Sequence, residues 1–556
     1  MRTATVVCAL LALAWTLPLR ITIAWGWDET MHSMLPAWRL WGSIQSVDPV
    51  GFFRALHACD RYPFVYPLAL AFQQGLTGVS EHGARVFGTL VWCATLLVLY
   101  VAARRAEPQR LHAAWFTLAL AAASPLALSF AGTTLLETPS ACAIGLALWS
   151  WIRRRDEELD GDRRAEFDRR AGFWAALALF TKFNYGLLLC AGLALDEVLE
   201  WISRKRLGQA RQAFASSVRA AFWPLALVLW WFVLPLPMGL DVASSHRAAL
   251  VEWLAGNQDQ APASWRIKLL NSATFFAPNP RTLLVILVGA AATLTQLGRP
   301  AVRAAWCVLI ALAAGVLSHR FHLPRFLIPL GPALWLLSGV GWARILPRER
   351  LLRWPLIAAL ILGCALAPTY DSLLLAERLG FFSADPAVRA YQARELATQC
   401  DLSGSRRLRS LGLEVDASHA FFSVVSAHIA PNERVGWIDL TEEVSPVGLQ
   451  YGLARAGRRE RNVFARQLWD ESYISIAGVD PQWSDETLHD WALAYDVLLF
   501  SEPHHLRGRR GREFFASYVE RLEAQGWTRR ALGQIEIERP MQPPLEVALF
   551  SLRPEL

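Results

Sequence analysis

Charged side chains are scarce in this 556-residue chain, where Asp, Glu, Lys and Arg together make up 19%. Ordinary soluble domains carry about 25% charged residues. Apolar residues reach 54% and the mean hydropathy is +0.27, which excludes an ordinary cytosolic protein and a disordered one. No segment recurs at a fixed period of about 20 to 50 residues, which argues against a solenoid. The composition therefore predicts a protein that lies mostly in a membrane.

Cysteine is also sparse, with eight residues and no Cys-x-x-Cys pair. This argues against a disulfide scaffold and against a structural zinc site. Cys59 and Cys400 fall outside the apolar segments, where a disulfide is conceivable but nothing in the sequence favours one. The other six lie within apolar runs and are predicted to be small buried hydrophobic residues: Cys8, Cys93, Cys142, Cys190, Cys307 and Cys364.

Eleven apolar segments approach the length needed to cross about 30 Å of hydrocarbon. They predict a polytopic α-helical membrane protein with about eleven transmembrane helices. Residues 171–200 are interpreted as two helices meeting at Phe183 and Asn184, with a single bent or re-entrant pair as the alternative. The segments are 4–25, 83–103, 111–129, 138–152, 171–181, 184–200, 220–237, 281–298, 301–318, 326–343 and 354–372.

The net charge of +7 reflects topology, because the cations concentrate in loops on one side of the predicted membrane. Nucleic-acid binding is excluded, since it needs a basic face on one folded domain. With these loops inside, the N-terminus is cytoplasmic, and Arg20 favours a retained anchor over a cleaved signal peptide. The basic loops are 104–105, 153–170, 204–206, 299–303 and 344–353.

An odd number of spans places the region after residue 375 outside the cytoplasm. We predict a membrane domain over 1–375, with an outside loop at 26–82, and an extracytoplasmic domain over 376–556. Trp- and Phe-rich stretches at 34–41 and 52–57 are typical of interfacial helices. Helical patterns at 384–399, 447–457 and 511–525, with strand-like runs at 434–440, 496–500 and 545–552, predict a small C-terminal α/β domain.

Acids follow the first span and precede the fourth. In WDETMH, residues 27–32, Asp28, Glu29 and His32 would share one helical face, a pattern that suits a general base. A plain N-cap aspartate followed by a solvated acid is an equally good interpretation. In TTLLETPS, Glu137 is expected just ahead of a helix start at Thr138 and Pro139, in water rather than in lipid. It either serves a functional site or merely complements the helix dipole.

Cations on the predicted outer side form a second group of candidates. Arg61 either clamps a lipid phosphate or snorkels to the headgroups. In SHRFHLPRF, residues 318–326, four potential cations lie on the side that should be poor in positive charge: His319, Arg320, His322 and Arg325. This departure from the charge rule favours phosphate capture over anchoring. Lys182 either faces a cavity or an acid near the membrane midplane or lies at the outer turn between the fifth and sixth spans.

From residue 1 to about 345 the chain resembles the GT-C membrane glycosyltransferases of the protein mannosyltransferase and aminoarabinose transferase type. The resemblance departs from the family pattern at Tyr62, Phe64 and Asn184–Tyr185. It rests on ordered blocks: WDETMH, RYPFVYPLALAFQQGLTG, EHGARVFGTLVWCATLLVLYVAARR, LLETPS, ALALFTKFNYG and LPRFLIPLGPAL.

The resemblance implies a transferase that moves a sugar from a polyprenyl-phosphate donor to an acceptor hydroxyl at the outer face of a bacterial cytoplasmic membrane. It implies Asp28 as the base, oriented by Glu29 or His32, with inversion at the anomeric carbon. Glu137 would be a supporting acid or a ligand of a divalent metal ion. The donor phosphate would be held by Arg325, assisted by Arg61, His319 and His322.

Two other classes of protein remain open at this stage. A transporter or flippase for a lipid-linked sugar would also show many spans and cations facing a cavity. Such proteins commonly carry internal repeats and charges at span centres, and we find neither here. An anchored binding protein would leave the acids at 28 and 29 unexplained. The partners expected of a transferase are membrane lipid, the lipid-linked donor and a glycan, lipid or protein acceptor.

Overall fold

The computed structural model divides the chain into two compact units, Met1–Pro18 with Pro36–Gly404 and Leu19–Leu35 with Ser405–Leu556. The residues that it describes are 2–16, 30–57, 62–125, 130–155, 160–206, 210–233, 265–319, 324–347, 349–367, 377–378, 380, 424–425, 427–430, 433–439, 484–502, 509–537 and 545–554.

The described part of the first unit is built of α-helices. Each of the eleven predicted apolar segments overlaps one of them. In chain order the helices are α1 Arg2–Thr16, α2 Leu35–Gln45, α3 Pro49–His57, α4 Val65–Thr77, α5 Glu81–Ala106, α6 His112–Ala122, α7 Glu137–Arg153, α8 Gly161–Thr181, α9 Phe183–Arg206, α10 Ala210–Val233, α11 Trp265–Phe276, α12 Pro280–Ala292, α13 Pro300–Ser318, α14 Gly331–Ile345 and α15 Arg350–Ala365.

By length and composition, four helical stretches in the described ranges could cross a membrane: His82–Ala106, Phe214–Phe232, Pro300–Ser318 and Arg325–Ile345. A fifth crossing is possible if Lys268–Phe276 and Pro280–Gln296, which meet at 92°, form one bent span. The shorter helices α6 and α15 are also apolar. Eleven crossings therefore remain a prediction.

Several helices begin at capping residues that are visible in the sequence. The Ser80 hydroxyl accepts a hydrogen bond from the Gly83 backbone N–H at the start of α5. Asn279 does the same for Thr282 at the start of α12, where Pro280 occupies the first turn. Such caps satisfy N–H groups that have no partner within the helix.

Helix α8 differs most from the prediction, because it begins at Gly161 rather than near 171. The Asp160 carboxylate caps it by accepting a hydrogen bond from the Arg163 N–H at 2.7 Å. The residues expected to form an inside loop up to 170 are therefore partly helical. The two helices predicted over 171–200 are present, and they are separated by Lys182 rather than by Phe183 and Asn184.

The stretch after the first span contains the helices that its aromatic residues predict. Helices α2 and α3 cover the expected positions 34–41 and 52–57 almost entirely. A π-helical turn, Thr30–Met34, leads into α2. Asp28 lies outside the described residues, so the helix start that we predicted there is not described.

The second unit contains a four-stranded sheet whose order is β1-β2-β4-β3. Strand β1 (Val435–Asp439) is parallel to β2 (Val497–Glu502), and β4 (Leu545–Pro554) is antiparallel to both β2 and β3 (Trp527–Ile537). The three predicted strands are thus present, and β3 was not predicted. Apolar side chains of the sheet share a buried core with helices α16 (Asp485–Ala492) and α17 (Arg509–Ala524). The helical patterns at 384–399 and 447–457 lie outside the described residues.

A network of buried ion pairs ties the C-terminal end of α7 to its neighbours. Arg154 contacts Glu197 of α9 at 2.5 Å and Asp168 of α8 at 3.2 Å. Asp168 also pairs with Arg219 of α10 at 2.7 Å, and Asp196 pairs with Arg303 of α13 at 2.7 Å. Burial, together with the neighbouring Arg155, lowers the pKa of Arg154 to about 10, so the guanidinium stays charged at neutral pH. Arg154, which follows α7, is thus paired with α8 and α9, and the acids of these two helices are in turn paired with α10 and α13.

A further buried acid forms ion pairs with two arginines of the predicted inside loops. Glu107, which follows α5, contacts Arg299 at 2.7 Å and Arg344 at 2.8 Å. Arginines from three of the predicted inside loops are therefore paired with buried acids: Arg154, Arg299, Arg303 and Arg344. A buried charge is costly unless it is paired, and these acids supply the pairing.

Helix α7 separates two charged layers of the first unit. It carries Glu137 at its first residue and is followed by Arg154. Its 17 residues span roughly 25 Å at 1.5 Å per residue, close to the thickness of the hydrocarbon core. The intervening residues of the helix are almost all apolar, which fits one charged layer on each side of a membrane.

Replacing Asp168 by Asn should destabilise the helix bundle, because Arg154 and Arg219 would lose the negative charge that they share. Removing one partner of a buried pair costs about 3 to 5 kcal/mol. Thermal unfolding of the purified protein in detergent should show a clear drop in Tm. The matched control is Glu166→Gln on the same helix, whose partner Arg170 lies one turn away in a half-exposed pair worth at most about 0.5 kcal/mol. Equal Tm values for the two variants would contradict a stabilising role for the buried network.

Candidate active site

Glu137, the first residue of α7, follows a turn that is fixed by several hydrogen bonds. The Phe130 carbonyl accepts hydrogen bonds from the Thr133 N–H and hydroxyl and from the Thr138 hydroxyl. Arg85 of α5 donates to the Gly132 carbonyl at 3.3 Å. Gly88 allows α5 to approach the turn closely, because a Cβ at this position would lie 2.5 Å from the Thr133 carbonyl oxygen. These contacts fix the position from which the Glu137 side chain leaves α7.

Lys182 occupies a one-residue break between α8 and α9. Its backbone is extended, with φ −155° and ψ 110°, and the helices resume directly after it. The break depends on Gly186, where a Cβ would come within 2.1 Å of the Leu179 Cα. The Asn184 side chain accepts a hydrogen bond from the Tyr185 N–H in the first turn of α9. Lys182 is thus held at a packed corner, with its side chain buried.

Arg325 lies in a short 3-10 helix, Pro324–Leu330, that continues into α14. Two prolines, Pro324 and Pro329, limit how this segment can fold, since each fixes its own φ and lacks an N–H donor. The segment packs against α7 and α13. Arg325 therefore reaches the start of α7 from a part of the chain almost two hundred residues away from Glu137.

The three side chains meet at one carboxylate oxygen. The Lys182 Nζ donates a hydrogen bond to the Glu137 Oε1 at 2.7 Å, and the Arg325 Nε lies 3.5 Å from the same oxygen. The side chains of Glu137 and Lys182 are 2% and 5% exposed, and that of Arg325 is 15% exposed. Burial strengthens these electrostatic interactions, because little water is present to screen them.

Aromatic rings surround the Lys182 ammonium. Its nitrogen lies 4.8 Å from the ring centre of Tyr62, 5.0 Å from that of Tyr185 and 5.3 Å from that of Phe326. Such cation–π contacts stabilise a desolvated ammonium by about 2 kcal/mol. The Tyr185 hydroxyl is buried without a hydrogen-bond partner among the described residues. It is a ready donor to a bound polar group.

A second aromatic cluster adjoins this corner through Phe180 of α8. Trp231 of α10 packs against Phe180, stacks on His57 at 4.5 Å and stacks on Phe64 at 4.8 Å between ring centres. The His57 Nδ1–H donates to the Phe53 carbonyl. Burial lowers the pKa of His57 by more than this hydrogen bond raises it, so the ring is neutral at pH 7. This ring cluster, which contacts Phe180, is thus uncharged.

The remaining predicted site residues fall into two groups. His319 follows α13, and its ring lies edge-on to Phe326 with centroids 6.2 Å apart, which places it beside the Lys182 cage. His32 lies in the π-helical turn Thr30–Met34, which groups with the second unit. Outside the described residues are Asp28, Glu29, Arg61 and His322.

This arrangement is suited to an anion. An ammonium has three N–H donors and a guanidinium five, and two positive charges meet a single negative charge here. Two cations at one carboxylate oxygen oppose a divalent cation at that oxygen. The described residues contain no group of three or more His, Cys, Asp or Glu side chains that could hold a metal ion.

An acid was one of the predicted partners of Lys182, but the sequence did not indicate that this acid is Glu137. Both residues lie in sequence blocks that carry the GT-C resemblance, LLETPS and ALALFTKFNYG, but nothing in those blocks shows that they face one another. Tyr185 was noted only as a departure from the family pattern. A lysine inside an apolar stretch, followed closely by Tyr185 and Gly186, is the local sequence signal that could have indicated this site.

Comparisons with known proteins relate this chain to others by fold. No family model and no curated protein matches it. The crystal structure of ArnT from Cupriavidus metallidurans in the apo state aligns with a TM-score of 0.60 at 16% identity, over 98% of this chain and 97% of ArnT. ArnT bound to undecaprenyl phosphate aligns at 0.55 and 15% identity over the same shares. Archaeal oligosaccharyltransferase AglB from Archaeoglobus fulgidus, in complex with an inhibitory peptide and a dolichol-phosphate, aligns at 0.49 and 12%, over 97% and 74%. The chain has the GT-C fold of ArnT, which confirms the resemblance at the level of the fold.

A methyl group at Gly88 should disturb the turn that carries Glu137. Gly88→Ala would place a Cβ against the Thr133 carbonyl, and overpacking of this kind typically costs about 1 to 3 kcal/mol. Gly363→Ala in α15 is the control, because a Cβ there meets no atom within 4 Å and alanine favours a helix by about 1 kcal/mol over glycine. Thermal unfolding should show a lower Tm for the first variant alone. Equal Tm values would refute the tight packing of α5 on the turn.

Proposed function

We propose that this chain is a glycosyltransferase of the bacterial cytoplasmic membrane that uses a polyprenyl-phosphate sugar as donor. The observation that carries the proposal is the meeting of Lys182 and Arg325 at Glu137, in a chain that has the fold of ArnT. A crystal structure of ArnT contains undecaprenyl phosphate, the lipid part of such a donor. A buried pair of cations from distant segments is the arrangement that capture of a lipid phosphate needs.

Lys182 and Arg325 would bind the donor phosphate. The guanidinium offers directed N–H donors, while the ammonium offers a compact charge held in its aromatic cage. The Tyr185 hydroxyl would donate a further hydrogen bond to a phosphate oxygen or to the sugar. Arg61, His319 and His322 would complete the phosphate site, and His319 already lies beside Phe326.

Asp28 would take the proton of the acceptor hydroxyl, with Glu29 or His32 orienting it. The acceptor oxygen forms a bond to the anomeric carbon as the bond from that carbon to the phosphate oxygen breaks. The electron pair leaves with the phosphate, where Lys182 and Arg325 stabilise the growing charge. A single displacement of this kind inverts the configuration of the anomeric carbon.

The site would lie at the outer face of the membrane. Glu137 starts α7, and the arginine network with Arg154 follows its end, so the positive-inside rule puts Arg154 in the cytoplasm and Glu137 outside. This agrees with a cytoplasmic N-terminus, eleven spans and an extracytoplasmic domain over 376–556. The acceptor would be a glycan, lipid or protein hydroxyl, with a hexose or pentose as the sugar.

Removing either cation should weaken lipid-phosphate binding. For Lys182→Met and Arg325→Gln we expect the affinity for undecaprenyl phosphate to fall about 10- to 100-fold, since a hydrogen bond to a charged group is worth about 1.5 to 3 kcal/mol. Binding can be measured on the purified protein in nanodiscs. The control is Arg104→Gln, which removes an exposed cation in the last turn of α5. Unchanged affinity in both site variants would reject the phosphate site.

Removing the proposed base should separate chemistry from binding. Asp28→Asn should lower transfer about 10²- to 10⁴-fold, the usual contribution of a general base. The same variant should bind undecaprenyl phosphate with unchanged affinity, because the amide does not alter the cation pair. Transfer is measured as loss of the lipid-linked sugar that accumulates in a strain lacking the gene. Wild-type transfer by Asp28→Asn would remove this residue from the mechanism.

A further inference from the structure

We propose that Glu137 sets the charge of the donor site, so that the site holds the phosphodiester donor and releases the phosphomonoester product. This inference rests on the proposed function, because it concerns the same phosphate site. It assigns Glu137 a positioning and charge-matching role rather than a part in proton transfer or metal binding.

The geometry places a negative charge directly on the phosphate-binding cations. One oxygen of Glu137 lies 2.7 Å from the Lys182 ammonium and 3.5 Å from the Arg325 Nε. Glu137 is 1% exposed, so water screens its charge very little. Any phosphate that contacts both cations must therefore also lie close to this carboxylate.

The donor and the product of the transfer carry different charges. A polyprenyl-phosphate sugar is a phosphodiester with one negative charge. Cleavage of the bond between the anomeric carbon and the phosphate oxygen leaves a phosphomonoester, and the acceptor proton goes to the base. A phosphomonoester carries a charge of about −1.5 to −2 at pH 7. The ligand thus gains negative charge when the sugar leaves it.

A fixed carboxylate distinguishes the two ligands. Glu137 repels both, but the repulsion grows with ligand charge, and it is strong in a site with little water. Without this residue, the two cations would bind the more highly charged product more tightly than the donor. With it, part of the positive charge is already offset, and the advantage of the product becomes smaller. The lipid phosphate is then free to leave after each transfer.

Glutamine at position 137 tests this idea because it preserves the shape of the side chain. The Gln oxygen can still accept the hydrogen bond from Lys182, while the negative charge is gone. A purely structural role for Glu137, in which it only holds Lys182 in place, gives a different result from charge matching. Weaker positioning would lower the affinity for both ligands, whereas loss of charge would raise the affinity for the monoester most.

The experiment measures two affinities for each of three proteins in nanodiscs, at about pH 8, where the monoester is fully ionised. The ligands are undecaprenyl phosphate and its methyl phosphodiester, which carry no sugar. The proteins are the wild type, Glu137→Gln and the control Glu166→Gln, which removes a half-exposed acid of α8. We expect Glu137→Gln to shift the preference toward the monoester by at least about tenfold, with the control unchanged.

Equal shifts for both ligands in Glu137→Gln, or weaker binding of the monoester, would overturn the inference and leave the proposed function standing. Wild-type protein that binds neither ligand would overturn the proposed function itself. The wild type also tests the idea without any variant. A wild-type preference of about tenfold or more for the monoester would overturn charge matching even if Glu137→Gln failed to fold.

Discussion

Lys182 and Arg325 both contact one oxygen of Glu137, and the packing of three separate segments of the first unit depends on this contact. The three side chains come from different, irregular pieces of backbone: a hydrogen-bonded turn, a one-residue helix break and a proline-bounded 3-10 segment. A buried lysine or arginine is costly without a counter-charge, so these segments must pack together correctly for any of the three residues to be tolerated.

Away from Glu137 and Lys182, helices α8 and α9 and the residue after α7 carry further buried charges, and these charges are paired. Asp168, Asp196 and Glu107 each contact an arginine of the predicted inside loops, namely Arg154, Arg303 and Arg299. These ion pairs tie neighbouring helices together, and their acids are almost completely buried. One end of α7 thus carries a network of paired charges, and the other carries a cluster in which two cations meet one carboxylate. We therefore assign a structural role to the charges at the Arg154 end of α7 and a functional role to those at the Glu137 end.

Much of the fold follows from the sequence because it depends on local patterns. Long apolar runs predict helices, and capping residues such as Ser80 and Asn279 mark their starts. Local patterns also identified two further features. These are the aromatic stretches that form α2 and α3 and the strand-like runs of the C-terminal sheet. Strand β3 was not, because its charged and polar residues, as in Arg529 and Arg530, hide the alternation expected of a strand.

The sequence by itself determined the membrane class, the helical segments and a set of charged candidates, since hydropathy and charge asymmetry are properties of short stretches. Only the tertiary structure decided that Glu137 faces Lys182 and Arg325, residues 45 and almost two hundred positions away. Pairing between distant segments depends on how the helices pack, and no local pattern encodes it. Lys182 illustrates the difference: the sequence allowed a cavity or an acid near the midplane, or an outer turn, and the structure shows it at a buried corner beside Glu137.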